Sequence, residues 1–548
     1  MEAQKAARDA ISGVIRDRFG SGWLLRLIPI FLSMTVACTS NADTSTDPPH
    51  QETEHLPGYH NYSWTLALID SLELQYPEII EKREYGRSLG GRKLIGVKIS
   101  DNVSVNEAEP EISFDGATHG EEWTSSEMVI RFMQELCDSY GEDATLTHYV
   151  NTREIFFYPF INPDGREVTR RFNDNGVDVN RDYGYMWNGG GGSSAPWSQP
   201  ESRSVWRWIN ENHFIFSIHS HGGIEALYYP WGYKFHGAPD ARHFHYVMQQ
   251  YFSASGYAEL EIGSANNAMY PTKGTFYDYS YGTRGTIAWL MEVSRTTVVW
   301  EPELTQYYEK NAPAYRRILE LAGRGVRGRV TDAVTNEPVP AIIWVRDDSE
   351  YWPIYNDGTV GDYQNFVKPG VYTVEAWANG YRTQTFSNLV VDDGEATIQD
   401  FSLTPIDRPV FAYRVEMAVM PDFNNADENM TPWALGPPDQ RFYSLDVNGW
   451  TVVDMGEVLG TGPGTDLRII EGDEIPEGFT VSVGVTLFDS MREVGRGLGT
   501  TTFDLDDAGV VQYRYVRITD DGDGKSNVAD AGFDLDAVEA YPDGGGPL

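Results

Sequence analysis

From residue 59 to residue 322, the pattern of apolar and polar positions switches repeatedly between one typical of helices and one typical of strands. Apolar residues three or four positions apart predict an amphipathic helix, and short β-branched and aromatic runs between turn residues predict a strand. The predicted helices span residues 64–74, 123–139, 201–212, 242–253 and 306–321. The predicted strands are a hairpin over 85–99 and single strands at 111–116, 154–160, 214–218 and 286–291. Strands that alternate with helices predict an α/β domain with a mixed sheet flanked by helices.

Beyond residue 323 the pattern changes to short strands separated by turns. One group of strands lies in residues 324–405 and a second group in residues 408–548. Short strands at regular spacing predict all-β sandwiches. We therefore expect the α/β domain to cover residues 57–323 and to be followed by two all-β sandwich domains, 324–405 and 408–548.

Three polar residues stand at the carboxyl ends of predicted strands: His119, His219 and Glu292. Open α/β sheets place their functional sites at that edge. Glu122 follows His119 by three residues, in the turn between a strand and a helix. A histidine and a carboxylate at this spacing can bind one metal ion, and zinc in hydrolases takes three protein ligands and leaves a fourth position for water. The pair alone arises often by chance, so the prediction depends on the other strand ends.

Two arginines follow the predicted turn at residues 162–165. Arg171 lies in Arg170-Arg-Phe-Asn, and Arg181 follows Asn180. A guanidinium group can polarise a scissile carbonyl, and it can hold a carboxylate through two parallel hydrogen bonds. A surface ion pair is the alternative for each arginine taken singly.

Composition narrows the classes of partner. The 548-residue chain has 42 basic and 81 acidic residues, a formal net charge of −39. Such a chain has little with which to neutralise phosphates, which argues against nucleic-acid binding. The two cysteines cannot build a disulfide framework.

The N-terminus has the pattern of an export signal. Residues 23–37 are mostly apolar, follow two arginines and are too short and interrupted for a comfortable membrane span. They end in Thr35-Val-Ala-Cys38, which resembles a bacterial lipoprotein signal with Cys38 as the lipid-anchored residue; ordinary secretory cleavage is the alternative. We therefore expect residues 1–38 to be the signal, residues 39–56 a disordered tether, and the protein to be exported to the bacterial cell envelope or secreted.

Together these residues resemble the zinc carboxypeptidases of the carboxypeptidase A type over residues 57–323. The resemblance implies one zinc ion, Zn²⁺, held by His119, Glu122 and His219. It implies Glu292 as the general base and Arg171 as the arginine that polarises the carbonyl. The residues implied to bind the C-terminal residue of a peptide are Asn180, Arg181, Tyr270 and Tyr277.

The chain departs from this family in two places. Where the family has a tyrosine two residues after the third ligand, this chain has His221, and two extra residues precede Tyr228-Tyr-Pro-Trp-Gly232. His221 is therefore the alternative third ligand. At the expected floor of the specificity pocket stands Tyr277, which predicts a neutral, aromatic or aliphatic C-terminal residue; Asp278 and Lys273 lie close in sequence and leave this preference open.

The two later regions also resemble known modules. Residues 324–405 resemble the transthyretin-like, carboxypeptidase regulatory-like sandwich that follows the catalytic domain in some of these enzymes. Residues 408–548 resemble a discoidin-like or galactose-binding-like sandwich, which implies a cell-surface glycan as a ligand. Asp520-Asp-Gly-Asp-Gly has oxygen ligands that suit Ca²⁺, with a solvated acidic loop as the alternative.

The sequence thus predicts an exported zinc metallocarboxypeptidase that removes C-terminal residues from peptides or proteins and contacts a membrane only through a lipid at Cys38. Every predicted chemical group precedes residue 323, so a chain that ends near Ala322 is expected to keep activity. One alternative is a murein peptidase of the same fold that cuts γ-D-glutamyl or diaminopimelate bonds. The other is a surface adhesion or carbohydrate-binding protein with a spent peptidase domain, which requires the loss of a ligand or of the base.

Overall fold

The structure, a computed structural model, describes residues 56–349, 351–406, 409–420, 430–522 and 532–544. The predicted export signal with Cys38, and the predicted tether up to residue 55, lie outside the described residues. Within the described ranges, no helix has both the length and the apolar character that crossing a membrane requires.

Helices and strands alternate through the first region, as predicted. The helices are α1 (Tyr62–Gln75), α2 (Trp123–Ser139), α3 (Ala144–Val150), α4 (Pro163–Glu167), α5 (Pro200–Glu211), α6 (Ala241–Ala254), α7 (Ala265–Ala268), α8 (Phe276–Arg284) and α9 (Glu303–Leu321). The strands are β1 (Ile80–Arg87), β2 (Lys93–Ile99), β3 (Glu111–Asp115), β4 (Glu154–Tyr158), β5 (Phe214–His221), β6 (Glu225–Tyr229), β7 (Glu261–Ser264) and β8 (Ile287–Val293).

These strands form one mixed sheet in the order β1-β2-β4-β3-β5-β8-β6-β7. The central strands β4, β3, β5 and β8 are parallel, whereas β2 and β6 join them antiparallel on either side. Strands β3, β4 and β5 are buried along their whole length, as expected for parallel strands covered by helices. The predicted α/β class is confirmed.

Two central strands run further than the sequence pattern predicts. β5 continues from the predicted end at residue 218 to His221, and β8 includes Glu292 and ends at Val293. Polar residues at these strand ends do not read as strand in the sequence, although both strands are paired there. The edge at which the site is expected therefore lies three residues further along β5.

The remainder of the chain is rich in β-strands, which confirms the predicted class of the C-terminal half. Residues 326–403 contain β9 (Val326–Asp332), β10 (Ile342–Arg346), β11 (Ile354–Tyr355), β12 (Asp362–Asn365), β13 (Gly370–Trp377), β14 (Gln384–Val391), β15 (Thr397–Ile398) and β16 (Phe401–Leu403). They form the sheets β11-β10-β13-β14 and β12-β9-β15, with β16 also paired to β9.

The last region holds two further sheets. Its strands are β17 (Val410–Phe411), β18 (Arg414–Val419), β19 (Tyr443–Ser444), β20 (Trp450–Gly460), β21 (Leu467–Glu471), β22 (Gly478–Gly484), β23 (Arg492–Leu498), β24 (Thr501–Phe503), β25 (Gln512–Asp520) and β26 (Asp534–Ala540). One sheet has the order β17-β26-β21-β24 with β19 on β26, and the other has the order β18-β20-β25-β22-β23. The exact domain limits proposed from the sequence stay a prediction.

The hydrophobic cores divide the chain differently from the strand pattern. Buried side chains of the α/β region, such as Tyr185 and Trp197, form one continuous cluster with those of the last region, such as Met417 and Val453. Residues 326–403 have a separate core of their own. The last region is therefore packed onto the α/β region as part of the same core.

Candidate active site

The site begins where three neighbouring parallel strands end. In the sheet, β5 lies between β3 and β8, and the ladder pairs Asp115 with His219 and His221 with Glu292. Paired residues on parallel strands face the same side, about 4.8 Å apart. His221 and Glu292 therefore project side by side from the carboxyl edge of the sheet.

Three buried side chains converge at this edge. His119 Nδ1 lies 2.8 Å from Glu122 Oε1 and 3.0 Å from His221 Nδ1. The same His221 nitrogen lies 2.7 Å from Glu122 Oε2. His119 and Glu122 come from the turn between β3 and α2, where Gly120 is needed because a Cβ would lie 2.0 Å from the Gly165 carbonyl carbon. These three residues offer ligand atoms that all lie within 4.8 Å of one another.

This donor set fits a zinc ion. Two imidazole nitrogens and one carboxylate are a set that zinc hydrolases use, and all three side chains are at most 6% exposed. Both imidazoles present Nδ1 toward the same point, with the carboxylate oxygens beside them. A shared cation requires such a convergence.

The predicted third ligand, His219, is not part of this group. Its Nδ1 donates to Asp115 Oδ1 at 2.5 Å, and its fully buried ring stacks on Phe276 at 4.3 Å between centroids. The structure therefore corrects the third ligand from His219 to His221. The reason is the extra length of β5: His219 lies one strand repeat deeper on the same face, and His221 occupies the strand end. The two extra residues before Tyr228 were the sequence signal for this shift.

Asp178 is a functional residue that the sequence analysis missed. Its Oδ1 accepts from His119 Nε2 at 3.0 Å, and its Oδ2 accepts from Arg171 Nη2 at 2.9 Å. Because a carboxylate can only accept, His119 Nε2 carries a proton, and Nδ1 is the nitrogen that can bind a metal once its own proton has left. The available signal was an aspartate two residues before the Asn180-Arg181 pair.

The local electrostatics favour a cation. Burial lowers the pKa of His119, but the carboxylates of Glu122 and Asp178 outweigh it and raise that pKa to about 9. Burial also lowers the pKa of His221, to about 3, despite the nearby Glu122. For Glu122 the burial effect is upward, yet the two histidines hold its pKa well below the usual range. The carboxylates thus create a site of negative potential.

Glu292 lies beside the group with a free carboxylate oxygen. Its Oε2 is inaccessible to solvent and has no hydrogen-bond partner among the described residues. Burial, with the charge of Glu122, raises the pKa of Glu292 to about 8. A carboxylate so placed can accept and return a proton near neutral pH.

The two arginines of the Arg170-Arg171 pair have different surroundings. Arg171 Nη1 lies 3.1 Å from His119 Nδ1 and 3.8 Å from Glu122 Oε1, so its guanidinium faces the three-ligand group. Arg170 instead pairs with Asp174 at 2.8 Å on the surface. Arg171 is therefore the arginine that can reach a substrate bound at the group.

The predicted carboxylate clamp lies next to the metal group. Asn180 and Arg181 belong to a short 3₁₀ helix, Val179–Arg181. Asn180 Nδ2 is 3.4 Å from His221 Nε2, and Asn180 Oδ1 accepts from Phe276 N at 2.9 Å. Arg181 Nη1 donates to the Asn180 carbonyl at 2.8 Å.

The residues predicted to form the specificity pocket, other than Tyr270, lie around Gly232. Tyr277 is buried, and its hydroxyl lies 2.7 Å from Thr272 Oγ1. Both hydroxyls crowd Gly232, where a Cβ would lie 2.2 Å from Thr272 Oγ1 and 2.5 Å from Tyr277 Oη. Asp278 Oδ1 accepts from Gly232 N at 3.0 Å, and burial raises the pKa of Asp278 to about 7. Tyr270 is 51% exposed, and no hydrogen bond among the described residues joins it to the metal group.

The predicted calcium site finds no support in the described part of the chain. Asp520 ends β25, and its carboxylate accepts from the backbone N–H groups of Asn448, Gly522 and Phe533 at 2.7 to 3.0 Å. The following residues, 523–531, lie outside the described residues. Asp520 therefore acts as an acceptor that fixes two turns.

Two families match the chain. The family described as zinc carboxypeptidase matches residues 65–314, which carry every residue of the group above. Residues 65–314 belong to the zinc carboxypeptidase family. The family described as carboxypeptidase regulatory-like domain matches residues 325–404. The predicted discoidin-like nature of the last region stays a prediction.

Curated relatives of this zinc carboxypeptidase are themselves carboxypeptidases. Carboxypeptidase SOL1 of Arabidopsis thaliana is 27% identical over 58% of this chain and 67% of its own length. The human carboxypeptidase N catalytic chain is 26% identical over 69% of this chain and 94% of its own length. Carboxypeptidase D of Anas platyrhynchos is 26% identical over 68% of this chain, but only 28% of its own length is spanned.

Among solved structures, bovine thrombin-activatable fibrinolysis inhibitor, in complex with a tick carboxypeptidase inhibitor, superposes on 48% of this chain and 97% of its own, with 19% identity and a TM-score of 0.44. The family match and the relatives identify the protein as an enzyme, a zinc metallocarboxypeptidase that acts on peptide or protein C-termini.

Proposed function

We propose that this zinc carboxypeptidase is an exported enzyme that removes neutral C-terminal residues, aromatic or aliphatic, with Glu292 as the general base. The observation that carries the proposal is the convergence of His119, Glu122 and His221 beside the free carboxylate oxygen of Glu292. A spent peptidase domain would lack one of these groups.

The chemistry divides between the metal and the chain. When bound by His119, Glu122 and His221, zinc supplies Lewis acidity that polarises a carbonyl and acidifies water. Glu292 takes a proton from the attacking water and gives it to the leaving amine. Arg171, oriented by Asp178, donates hydrogen bonds to the carbonyl oxygen as negative charge develops there.

Two further sets of residues bind and select the substrate. Asn180 and Arg181 hold the free C-terminal carboxylate through charge-assisted hydrogen bonds, and Tyr270 closes over the bound residue. Tyr277 presents an aromatic ring and a hydroxyl already bonded to Thr272, which supports a neutral side chain in the pocket. Asp278, buried below Gly232, is the group that would favour a basic side chain instead.

A panel of peptides tests this function. Peptides that end in Phe, Leu, Lys or Arg are offered with a free or an amidated C-terminus, together with peptidoglycan fragments. We expect cleavage of free C-termini, fastest for Phe and Leu, and almost none of amidated peptides. Efficient cleavage of amidated peptides, or of peptidoglycan fragments alone, would reject the carboxypeptidase proposal. Faster release of Lys and Arg would reject only the neutral preference.

Glu292→Gln tests the role of the base. The variant should keep zinc and substrate binding, while kcat falls roughly 10²- to 10⁴-fold, the usual contribution of a placed general base. A structural carboxylate would instead lower stability and leave kcat of the folded enzyme unchanged.

Export and the partners of the last region are separate proposals. The pattern before Cys38 supports lipid attachment at the cell envelope, and metabolic labelling with a fatty acid should mark the wild type and not Cys38→Ser. The resemblance of residues 408–548 to glycan-binding sandwiches supports a surface glycan as ligand, which a glycan array would test.

A further inference from the structure

The segment that carries the carboxylate clamp continues directly into a contact with the last region. After Arg181, the backbone of residues 184–186 runs beside β18 as a parallel partner. Met186 N donates to the Ala418 carbonyl at 2.6 Å, and Ala418 N donates to the Gly184 carbonyl at 3.1 Å. β18 is the outer strand of its sheet, so this segment takes up the hydrogen-bonding groups that an edge strand leaves open.

Side chains close the same junction. Tyr185 is fully buried and stacks on Trp231 at 5.5 Å, and its hydroxyl lies 3.5 Å from Thr431 Oγ1 of the last region. Gly184 must be glycine here, because a Cβ would lie 2.4 Å from Trp197 Nε1 and 3.1 Å from Met417 Cγ. The clamp segment is thus packed between the two regions without space for a different path.

A second contact starts from Glu416, a neighbour of Ala418 on β18. Its fully buried carboxylate accepts from Arg284 Nη2 at 2.9 Å, from Tyr279 Oη at 3.3 Å and from Trp206 Nε1 at 3.2 Å. Arg284 and Tyr279 lie on α8, and Trp206 lies on α5. One carboxylate of the last region therefore binds two helices of the catalytic domain.

Helix α8 carries this contact back to the clamp. Its first residue, Phe276, donates its N–H to Asn180 Oδ1 at 2.9 Å. Further along, the Tyr279 ring packs edge-on against Trp197 at 4.6 Å. Nine helical residues span only about 13 Å, so a displacement at Arg284 reaches Phe276 through one rigid element.

We infer that β18 of the last region, through Glu416 and the backbone of Ala418, is a positioning element of the carboxylate clamp. The C-terminal sandwich is on this view a part of the substrate site, held on the catalytic domain by a buried ion pair and a strand contact. Removal of Glu416 leaves the buried charge of Arg284 without a carboxylate partner, which destabilises this junction. The inference rests on the proposed role of Asn180 and Arg181.

Glu416→Gln in the full-length protein tests it, because the change keeps size and removes the charge. We expect KM for peptides with a free C-terminus to rise roughly tenfold, kcat to change little and zinc content to stay at one per chain; a misplaced binding group can cost up to 10²-fold. Product inhibition by the released amino acid should weaken by the same factor. Glu457→Gln, at an exposed position of the same region, is the control and should behave as wild type.

The outcomes separate the inference from the function. If the wild type does not cleave free C-termini, the proposed function fails before any variant is made. If it does, and Glu416→Gln lowers Tm but leaves KM unchanged, Glu416 is merely structural and the inference is overturned.

A second measurement does not depend on the variant. A protease site placed near residue 406 of the full chain allows the last region to be cut free after folding. We expect the pieces to co-elute and keep the wild-type KM. Pieces that separate while the catalytic piece keeps its KM would also overturn the inference.

Discussion

Replacing His221 or His219 with alanine shows which of the two histidines is the metal ligand. His221 Nδ1 faces His119 and Glu122, whereas His219 Nδ1 donates to Asp115. We expect His221→Ala to lose zinc and to stay folded. We expect His219→Ala to keep zinc affinity and to lose stability.

The magnitudes follow from the contacts. Loss of a residue that only orients a ligand costs about 10- to 100-fold in metal affinity, so loss of His221 itself should exceed that and leave almost no zinc after dialysis. His219→Ala leaves the Asp115 carboxylate, which is 0% exposed, without its partner. A buried charge so stranded costs about 3–5 kcal/mol, which lowers Tm by roughly 10 °C in a domain of this size.

Metal analysis of the dialysed variants and thermal unfolding with added zinc provide the two readouts. His243→Ala is the matched control. His243 is a buried histidine whose Nδ1 lies 3.3 Å from Asp240 Oδ1, and it does not belong to the ligand group. It should lose stability and keep zinc. If His219→Ala loses zinc while His221→Ala retains it, the assignment of the third ligand from the strand end is refuted.

Three further predictions follow from single contacts. Asp178→Asn should weaken zinc binding about 10- to 100-fold, measured by competition with a chelator, because it releases both His119 and Arg171. Burial acts to raise the pKa of Glu416, but the nearby arginines lower it to about 2, so the stabilising effect of the Glu416 carboxylate is present above pH 4.5 and is lost as pH falls toward 2. The difference in Tm between wild type and Glu416→Gln should therefore narrow between pH 4.5 and pH 2. A constant difference would contradict this prediction. Asp278→Asn should leave kcat/KM for peptides that end in Phe nearly unchanged. A tenfold or greater loss for peptides that end in Lys, about 1.4 kcal/mol, would indicate an acidic pocket that binds basic side chains.

The helices and central strands could be predicted because local pattern and tertiary environment agree there. α2 begins and ends at the predicted residues 123 and 139, since its apolar face recurs at helical spacing. The end of β5 could not be predicted in the same way. Ser217 to His221 reads as polar, yet the whole stretch is buried because the polar groups find partners on neighbouring strands, such as Ser113 and Asp115.

The same limit explains which site residues were missed. Motif spacing identified His119 and Glu122, which lie in one turn. The partners that fix the site are distant in sequence: Asp178 is 59 residues from His119, and Asp115 is 104 residues from His219. Pairing over such separations depends on the arrangement of strands and is invisible to a local pattern.

The clamp residues show that the positions of the chemical groups in the sequence do not define the part of the chain that is needed for activity. All the predicted groups precede residue 323, and on that ground a chain that ends near Ala322 is expected to remain active. Such a chain lacks Glu416, the carboxylate partner of Arg284, whose side chain is 7% exposed. It also lacks the strand that pairs with Gly184 and Met186. It would expose Tyr185 and Trp197, which belong to the core that the catalytic domain forms with the last region. Because a buried arginine without a carboxylate partner and an open strand edge both destabilise a fold, the catalytic domain depends on β18 even though β18 carries no chemistry.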